Sequence, residues 1–182
     1  VEGDFARLRD GGFWKLERQQ HFAEPDNPSW RAFHGGDWGL ARQRLAAMRE
    51  EFTAYYRRAL ARGVRHWRVR VVELPLTPYL HWELHVLRLR VACGANARVV
   101  GPEQVRALER DGPLPEVFTL GTRVLYQARY DEHGVLAGGR RRTGAELVAR
   151  WQRTIAGLYQ TGQELVTFFE REVAGRSEPR GG

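Results

Sequence analysis

Glu83 is the residue of this chain whose setting asks for chemistry. From Pro78 to Ala92 the spacing predicts a helix with two apolar stripes, Leu80, Leu84, Leu87 and Val91 on one and Tyr79, Trp82, Val86 and Leu89 on the other. At roughly 100° per residue, His81, His85 and Arg88 share the one polar face that remains, and Glu83 falls inside the apolar arc. A carboxylate placed there must take up a proton or find a cation. The preceding segment, His66 to Glu73, reads as a strand with Arg68 and Arg70 on one face beside His66 and Val72. A helix folded back over that face would bring a guanidinium to Glu83. A ligand pocket there would be lined by Arg68, Arg70, Tyr79 and Glu83. The plainer alternative is an ion pair inside the fold with no further task.

His81 and His85 stand four apart, which on a helix aims both imidazoles the same way and could chelate a metal. A zinc hydrolase pattern wants glutamate directly after the first histidine, and Trp82 is there instead. His21, His34, His66 and His133 are scattered candidates for a third ligand, and no metal is assigned. Arg140, Arg141 and Arg142, beside Gly138-Gly139 and ahead of the last helix, form a candidate anion site where basic side chains would meet free backbone amides. A solvated loop is the alternative. No phosphate-binding glycine signature, serine elbow or paired catalytic carboxylate occurs, so no catalytic residue and no cofactor is assigned.

Several elements must position these groups. Phe5-Ala6-Arg7-Leu8 reads as a helical turn, ended by Gly11-Gly12. Phe13 to Phe22 reads as a strand with Trp14, Leu16 and Phe22 on one face and a wet face of Lys15, Glu17, Gln19 and His21. Residues 23 to 36, rich in proline and glycine, read as the longest loop. Asp37 caps a helix over 38 to 62, where Ala41, Leu45, Met48, Phe52, Tyr55 and Ala59 step by four and three. After the central strand and helix come a short strand, Ala97 to Val100, and a helix from Pro102 to Asp111. Strands Glu116 to Leu120, Thr122 to Tyr130 and Val135 to Ala137 make an antiparallel meander. Thr143 and Glu146 have capping-box spacing and open a final helix over 144 to 173, which Gly157 and Gly162 would kink. Residues 175 to 182 read as a disordered tail.

With 182 residues, the expectation is a single α/β domain over 1 to 174, its mixed sheet covered by helices 38 to 62, 78 to 92 and 144 to 173. Lys15 is the lone lysine among 29 basic residues, and the net charge of +7 makes an anionic partner plausible without bearing on fold. Cys93 is the single cysteine, which excludes an internal disulfide and a cysteine-rich zinc site. No apolar run reaches the roughly 18 residues of a membrane span, and Val1-Glu2-Gly3-Asp4 lacks the pattern of a leader, so a cytoplasmic protein without a membrane is expected. Six tryptophans and eight phenylalanines look like more than one core can hold, which argues for a protein partner or a homodimer through exposed aromatics.

Phe13-Trp14-Lys15-Leu16-Glu17, Arg68-Val69-Arg70-Val71-Val72 with Tyr79-Leu80-His81-Trp82-Glu83-Leu84, and Val117-Phe118-Thr119-Leu120, taken in order, are similar to an actinobacterial family known as a domain of unknown function. Its members are often encoded beside helix-turn-helix regulators. Many carry an aspartate where this chain has Gly121. The order of elements also looks like half of a phospholipase D-like domain, including regulator versions without catalysis. The signature of that superfamily places histidine two residues before lysine, and Phe13 holds that place before Lys15. Catalysis of that kind is excluded. The resemblance implies a non-catalytic regulatory or protein-interaction domain acting with a helix-turn-helix transcriptional regulator. The alternatives are a small-ligand or nucleotide sensor using Glu83 and Arg70, and weak non-specific nucleic-acid binding through arginine.

Overall fold

A computed structural model describes residues 2–8 and 11–176. The short helix α1 (Glu2–Arg7) leads into strand β1 (Gly11–Glu17), and helices α2 (Pro28–His34), α3 (Trp38–Ala47) and α4 (Arg49–Ala61) follow. Next come β2 (Val64–Val71), α5 (Pro78–Ala92), β3 (Asn96–Val100) and α6 (Pro102–Val105), which runs on as a 3-10 turn to Leu108. The meander β4 (Val117–Leu120), β5 (Val124–Tyr130) and β6 (Leu136–Arg142) precedes α7 (Ala145–Thr161), the two-residue β7 (Gln163–Glu164) and α8 (Leu165–Glu172).

The strands form one mixed sheet in the order β6-β5-β4-β1-β2-β3-β7. β1, β2 and β3 run parallel, and every other pairing is antiparallel. Parallel neighbours need a crossover, supplied by α2 to α4 for the first pair and by α5 for the second. Two right-handed crossovers stepping the same way leave their helices on the same face of a sheet. Here α4 packs on Val64 and α5 on Val72, while Leu16, Val69 and Val71 face α7 on the opposite side. Outside α5 lies another layer, in which Trp30, Phe33 and Trp38 of α2 and α3 pack on Trp82, Val86 and Leu89.

Helix α5 is apolar nearly all round because it is covered nearly all round. Thr77 caps it, its Oγ1 accepting from the Leu80 amide at 3.1 Å, and Pro78 occupies the first turn, where a missing N–H costs nothing. The polar face expected for His81, His85 and Arg88 is mostly closed. His81 is buried and His85 half-buried, their rings edge-on to Trp38 at 6.0 and 5.0 Å, and His85 also meets Phe169 at 4.8 Å. Only Arg88 on that face is exposed.

Other expectations are corrected by the structure. The first strand ends at Glu17, not Phe22, and on the face expected to be wet Glu17 is buried and Lys15 half-buried, whereas Gln19 and His21, beyond the strand, are exposed. The loop over 23 to 36 contains α2, capped by Asn27, whose side chain accepts from the Ser29 and Trp30 amides. The helix over 38 to 62 is two helices, because Met48 bends the chain while staying in the right-handed region (φ −77°, ψ −6°), so the apolar spacing passes through unmarked. The helix from Pro102 ends well before Asp111. Thr143 and Glu146 do not form a capping box; Gly144 is the N-cap of α7 and has no side chain to bond with. The tail from 177 onward lies outside the described residues.

The final helix is also two. α7 runs straight through Gly157, and Gly162 takes an extended conformation (φ −75°, ψ 153°) that ends it. β7 then pairs with β3 at the sheet edge, and α8 packs against α5 on the other face. An unbroken helix could not pass around that edge.

Candidate functional site

On the α5 side of the sheet, the centre of β1 and β2 is charged instead of apolar. Alternation places Lys15 and Glu17 of β1 and Arg68 and Arg70 of β2 on this face, in a register that sets Lys15 opposite Arg68 and Glu17 opposite Arg70. Glu17 accepts at one oxygen from Lys15 Nζ and at the other from Arg68 Nη1, each at 2.5 Å. Arg70, fully buried, donates from Nε to Glu83 Oε2 at 2.7 Å and from Nη1 to the carbonyls of Glu17 and Val71 at 3.3 and 3.2 Å. Two buried carboxylates are thus paired with three cations in two sets, Lys15–Glu17–Arg68 and Arg70–Glu83, which the Arg70 bond to the Glu17 carbonyl joins.

Burial pushes the Glu17 carboxyl up, but Arg68, Lys15 and Arg70 together outweigh burial and hold it well below the usual carboxylate range. Glu83 shifts the other way, since burial raises it, Arg70 counters only part of that, and the charge of Glu17 adds to the rise. Glu116, just ahead of β4, is buried and accepts at Oε1 from the Arg18 and Gln19 amides, both at 2.7 Å. Burial, with Glu17 second, pushes it up to about 7. Arg70 Nη2 and Glu116 Oε2 are buried with no hydrogen-bond partner among the described residues.

This network forms the inner wall of a cavity of about 540 Å³ between β1, β2, the 22–28 segment and α5. Lys15, Arg68 and Arg90 are its basic lining, Glu17, Glu24, Asp26 and Glu83 its acidic lining, and Phe22, Tyr79, Val86, Leu87 and Tyr130 contribute ring and aliphatic surface. Tyr79 donates its hydroxyl to Glu24 Oε1 at 2.8 Å, and Asn27 Nδ2 donates to Glu24 Oε2 at 3.2 Å, which fixes the segment over α5. Burial pushes the Tyr79 and Tyr130 hydroxyls up, and surrounding carboxylates add to the shift, so both stay protonated.

Arg68, Arg70, Tyr79 and Glu83 therefore come together, with Arg70 as the partner of Glu83 and Arg68 that of Glu17. Arg70 lies behind the cavity and does not line it. Sequence reasoning missed Glu17, Lys15, Glu24, Arg90 and Tyr130. The available signal was the same alternation that located Arg68 and Arg70, because a parallel neighbour strand carrying Lys15 and Glu17 meets them on one face. Arg140, Arg141 and Arg142 do not converge. They lie on edge strand β6, where alternation sends Arg141 to one face and the other two to the opposite one, and Arg141 is bound by Asp4 at 2.7 Å. His81 and His85 stack at 5.7 Å, and no group of three potential metal ligands exists among the described residues.

The family model of a domain of unknown function, DUF6879, matches residues 3–170. The chain belongs to that family. A comparison with curated proteins finds no match. In this DUF6879 chain the matched span holds every residue of the charged network and of the cavity lining. No helix among the described residues is long and apolar enough to cross a membrane.

Proposed function

We propose that this DUF6879 domain is a non-catalytic regulatory domain that binds a small polar effector in the cavity beside Glu83. The observation that carries this reading is the placement of a buried ionic network against an open cavity of about 540 Å³, within the range of small-molecule sites. Ion pairs at the middle of a sheet stabilise a fold less than well-packed apolar residues would, so their retention facing a cavity is better explained by recognition than by stability. The carboxylates at the wall are already engaged, Glu17 by Lys15 and Arg68, Glu83 by Arg70, and Glu24 by Tyr79 and Asn27. That is an arrangement for holding a shape, not for moving protons. A helix-turn-helix transcriptional regulator, the partner implied by the family resemblance, would read the bound state.

The test is a thermal-shift screen against a broad library of neutral, cationic and anionic metabolites. Wild type is compared with Ala23→Trp, which places an indole in the cavity. Ligands that raise the melting temperature of wild type alone support the reading. A library in which nothing distinguishes the two proteins refutes it.

A further inference from the structure

Two properties of the cavity wall decide the charge of what it holds. The first is layering. Lys15 and Arg68 keep 25% and 18% of their side chains exposed, whereas Glu17 and Glu83 keep 5% and 6%. On this wall a solute meets the cations before Glu17 and Glu83 beneath them, while Glu24 and Asp26 lie on the opposite, 22–28 side of the cavity.

The second is the distribution of hydrogen-bonding capacity. Glu17 is bonded at both oxygens, Glu24 likewise, and Glu83 holds Arg70. Among the described residues Arg68 commits only Nη1 to a hydrogen bond and Lys15 forms one ion pair, with Glu17. A guanidinium has five N–H groups and an ammonium three, so most donors of these two lining residues have no bonding partner among the described residues. Arg90 adds a third cation, stacked on Phe52 at 4.1 Å and bonded through Nη1 to the Tyr56 hydroxyl. It lines the same cavity as Lys15 and Arg68. Asp26 also lines the cavity but is exposed, where solvent screens it.

Resting on the ligand-binding reading above, we propose that the cavity takes an anion. A phosphate or carboxylate group is held by Lys15, Arg68 and Arg90, with the body of the molecule against Phe22, Val86 and Tyr130. Forked guanidinium donors suit both oxyanions, and binding them leaves Glu17 in place as the group that keeps Lys15 and Arg68 side by side.

The experiment is isothermal titration of the whole chain with inorganic phosphate, AMP and citrate, and with adenosine and spermidine as neutral and cationic counterparts. The variants are Lys15→Gln, Arg90→Gln, Ala23→Trp and, as a control on the exposed side of α7, Arg150→Gln. The expected result is binding by at least one anion that weakens tenfold or more in Lys15→Gln and Arg90→Gln, is lost in Ala23→Trp and is unchanged in Arg150→Gln. Phosphate or AMP against citrate then separates a phosphate ligand from a carboxylate. Arg90 makes no bond to Glu17, so it carries the comparison if Lys15→Gln fails to fold. Anion binding that ignores the cavity variants overturns the proposal as adsorption on a basic surface. Adenosine or spermidine binding that Ala23→Trp blocks, with no anion bound, overturns the anion while leaving a ligand cavity. Silence of all five probes refutes the anion assignment, and the wider screen then decides whether the cavity binds anything.

Discussion

Glu83 and Arg70 are each nearly or wholly buried, and each is the other's main compensation for leaving water. Removing one leaves the other charge buried, an error of about 3–5 kcal/mol. Glu83→Met should therefore lower unfolding free energy by that order in urea melts, whereas Arg88→Met, on the exposed side of the same helix, should change it by less than about 1 kcal/mol. Glu116 gives a test with a sign. Its folded value, about 7, lies above the ordinary glutamate value of 4.5, so between those two pH values the folded state binds more protons than the unfolded state. Stability from this group is fully present below pH 4.5 and is lost as pH rises through 7. Glu116→Gln keeps an oxygen for the two amides and cannot ionise. Its stability relative to wild type should rise across that window by roughly 2–3 kcal/mol, as read from paired melts at pH 5 and pH 8. A constant difference between the two proteins would show that Glu116 is ionised throughout. The Glu83–Arg70 pair was legible because helical phase alone puts Glu83 among apolar neighbours. Glu116 was not, since nothing local shows that a residue at a strand entrance ends up next to Glu17.

Among the elements, the central strand and helix were readable because each carries its own period and its own stop, with Thr77-Pro78 at the start of α5 and Gly94 after its end. The meander was readable in its order, but its third strand, expected over Val135 to Ala137, runs on to Arg142 through the glycine and arginine residues read as a loop. What the sequence hid were breaks that leave the period intact: Met48 stays helical in its backbone angles, and Gly162 sits in an apolar pattern that continues on its far side because α8 needs an apolar face too. Gly157 and Gly162 look alike in sequence and should behave oppositely. Gly157 lies within α7 with open space where a Cβ would stand, so Gly157→Ala should stabilise by up to about 1 kcal/mol. At Gly162 a Cβ would come within 3.0 Å of Arg98 Cβ and 3.1 Å of the Val99 carbonyl, both on β3, so Gly162→Ala should destabilise by about 1–3 kcal/mol. In a chain of this size about 2–4 °C of melting temperature accompanies each kcal/mol, which makes both signs measurable by calorimetry. A rise for Gly162→Ala would mean that β7 does not hold α8 against the edge of the sheet.

At the scale of the whole molecule, the aromatic residues and the arginines part company. No phenylalanine, tyrosine or tryptophan is exposed among the described residues, because helices cover both faces of the sheet away from β6 and α2 and α3 add a further layer. The aromatic surplus that argued for a protein partner is thus at least half-buried, with Trp14, Trp67 and Trp151 among the half-buried ones. Positive charge, in contrast, is spread over the outside: Arg57 and Arg58 on α4, Arg150 and Arg153 on α7 beyond the opposite face of the sheet, and Arg140 and Arg142 on the β6 edge are all exposed. Charges on opposite sides cannot follow one backbone together, so a nucleic-acid duplex would engage only a few at a time. With roughly three phosphates neutralised, the logarithm of the binding constant should fall with that of salt concentration with a slope of about −2.7, which weakens binding about 40-fold between 50 and 200 mM. Fluorescence anisotropy with two unrelated duplexes of equal length should give the same curve for both. Arg57→Gln with Arg58→Gln should flatten the slope, and Lys15→Gln, inside the cavity, should not. A complex that prefers one sequence and survives physiological salt would overturn this expectation, because it requires side chains that reach base edges.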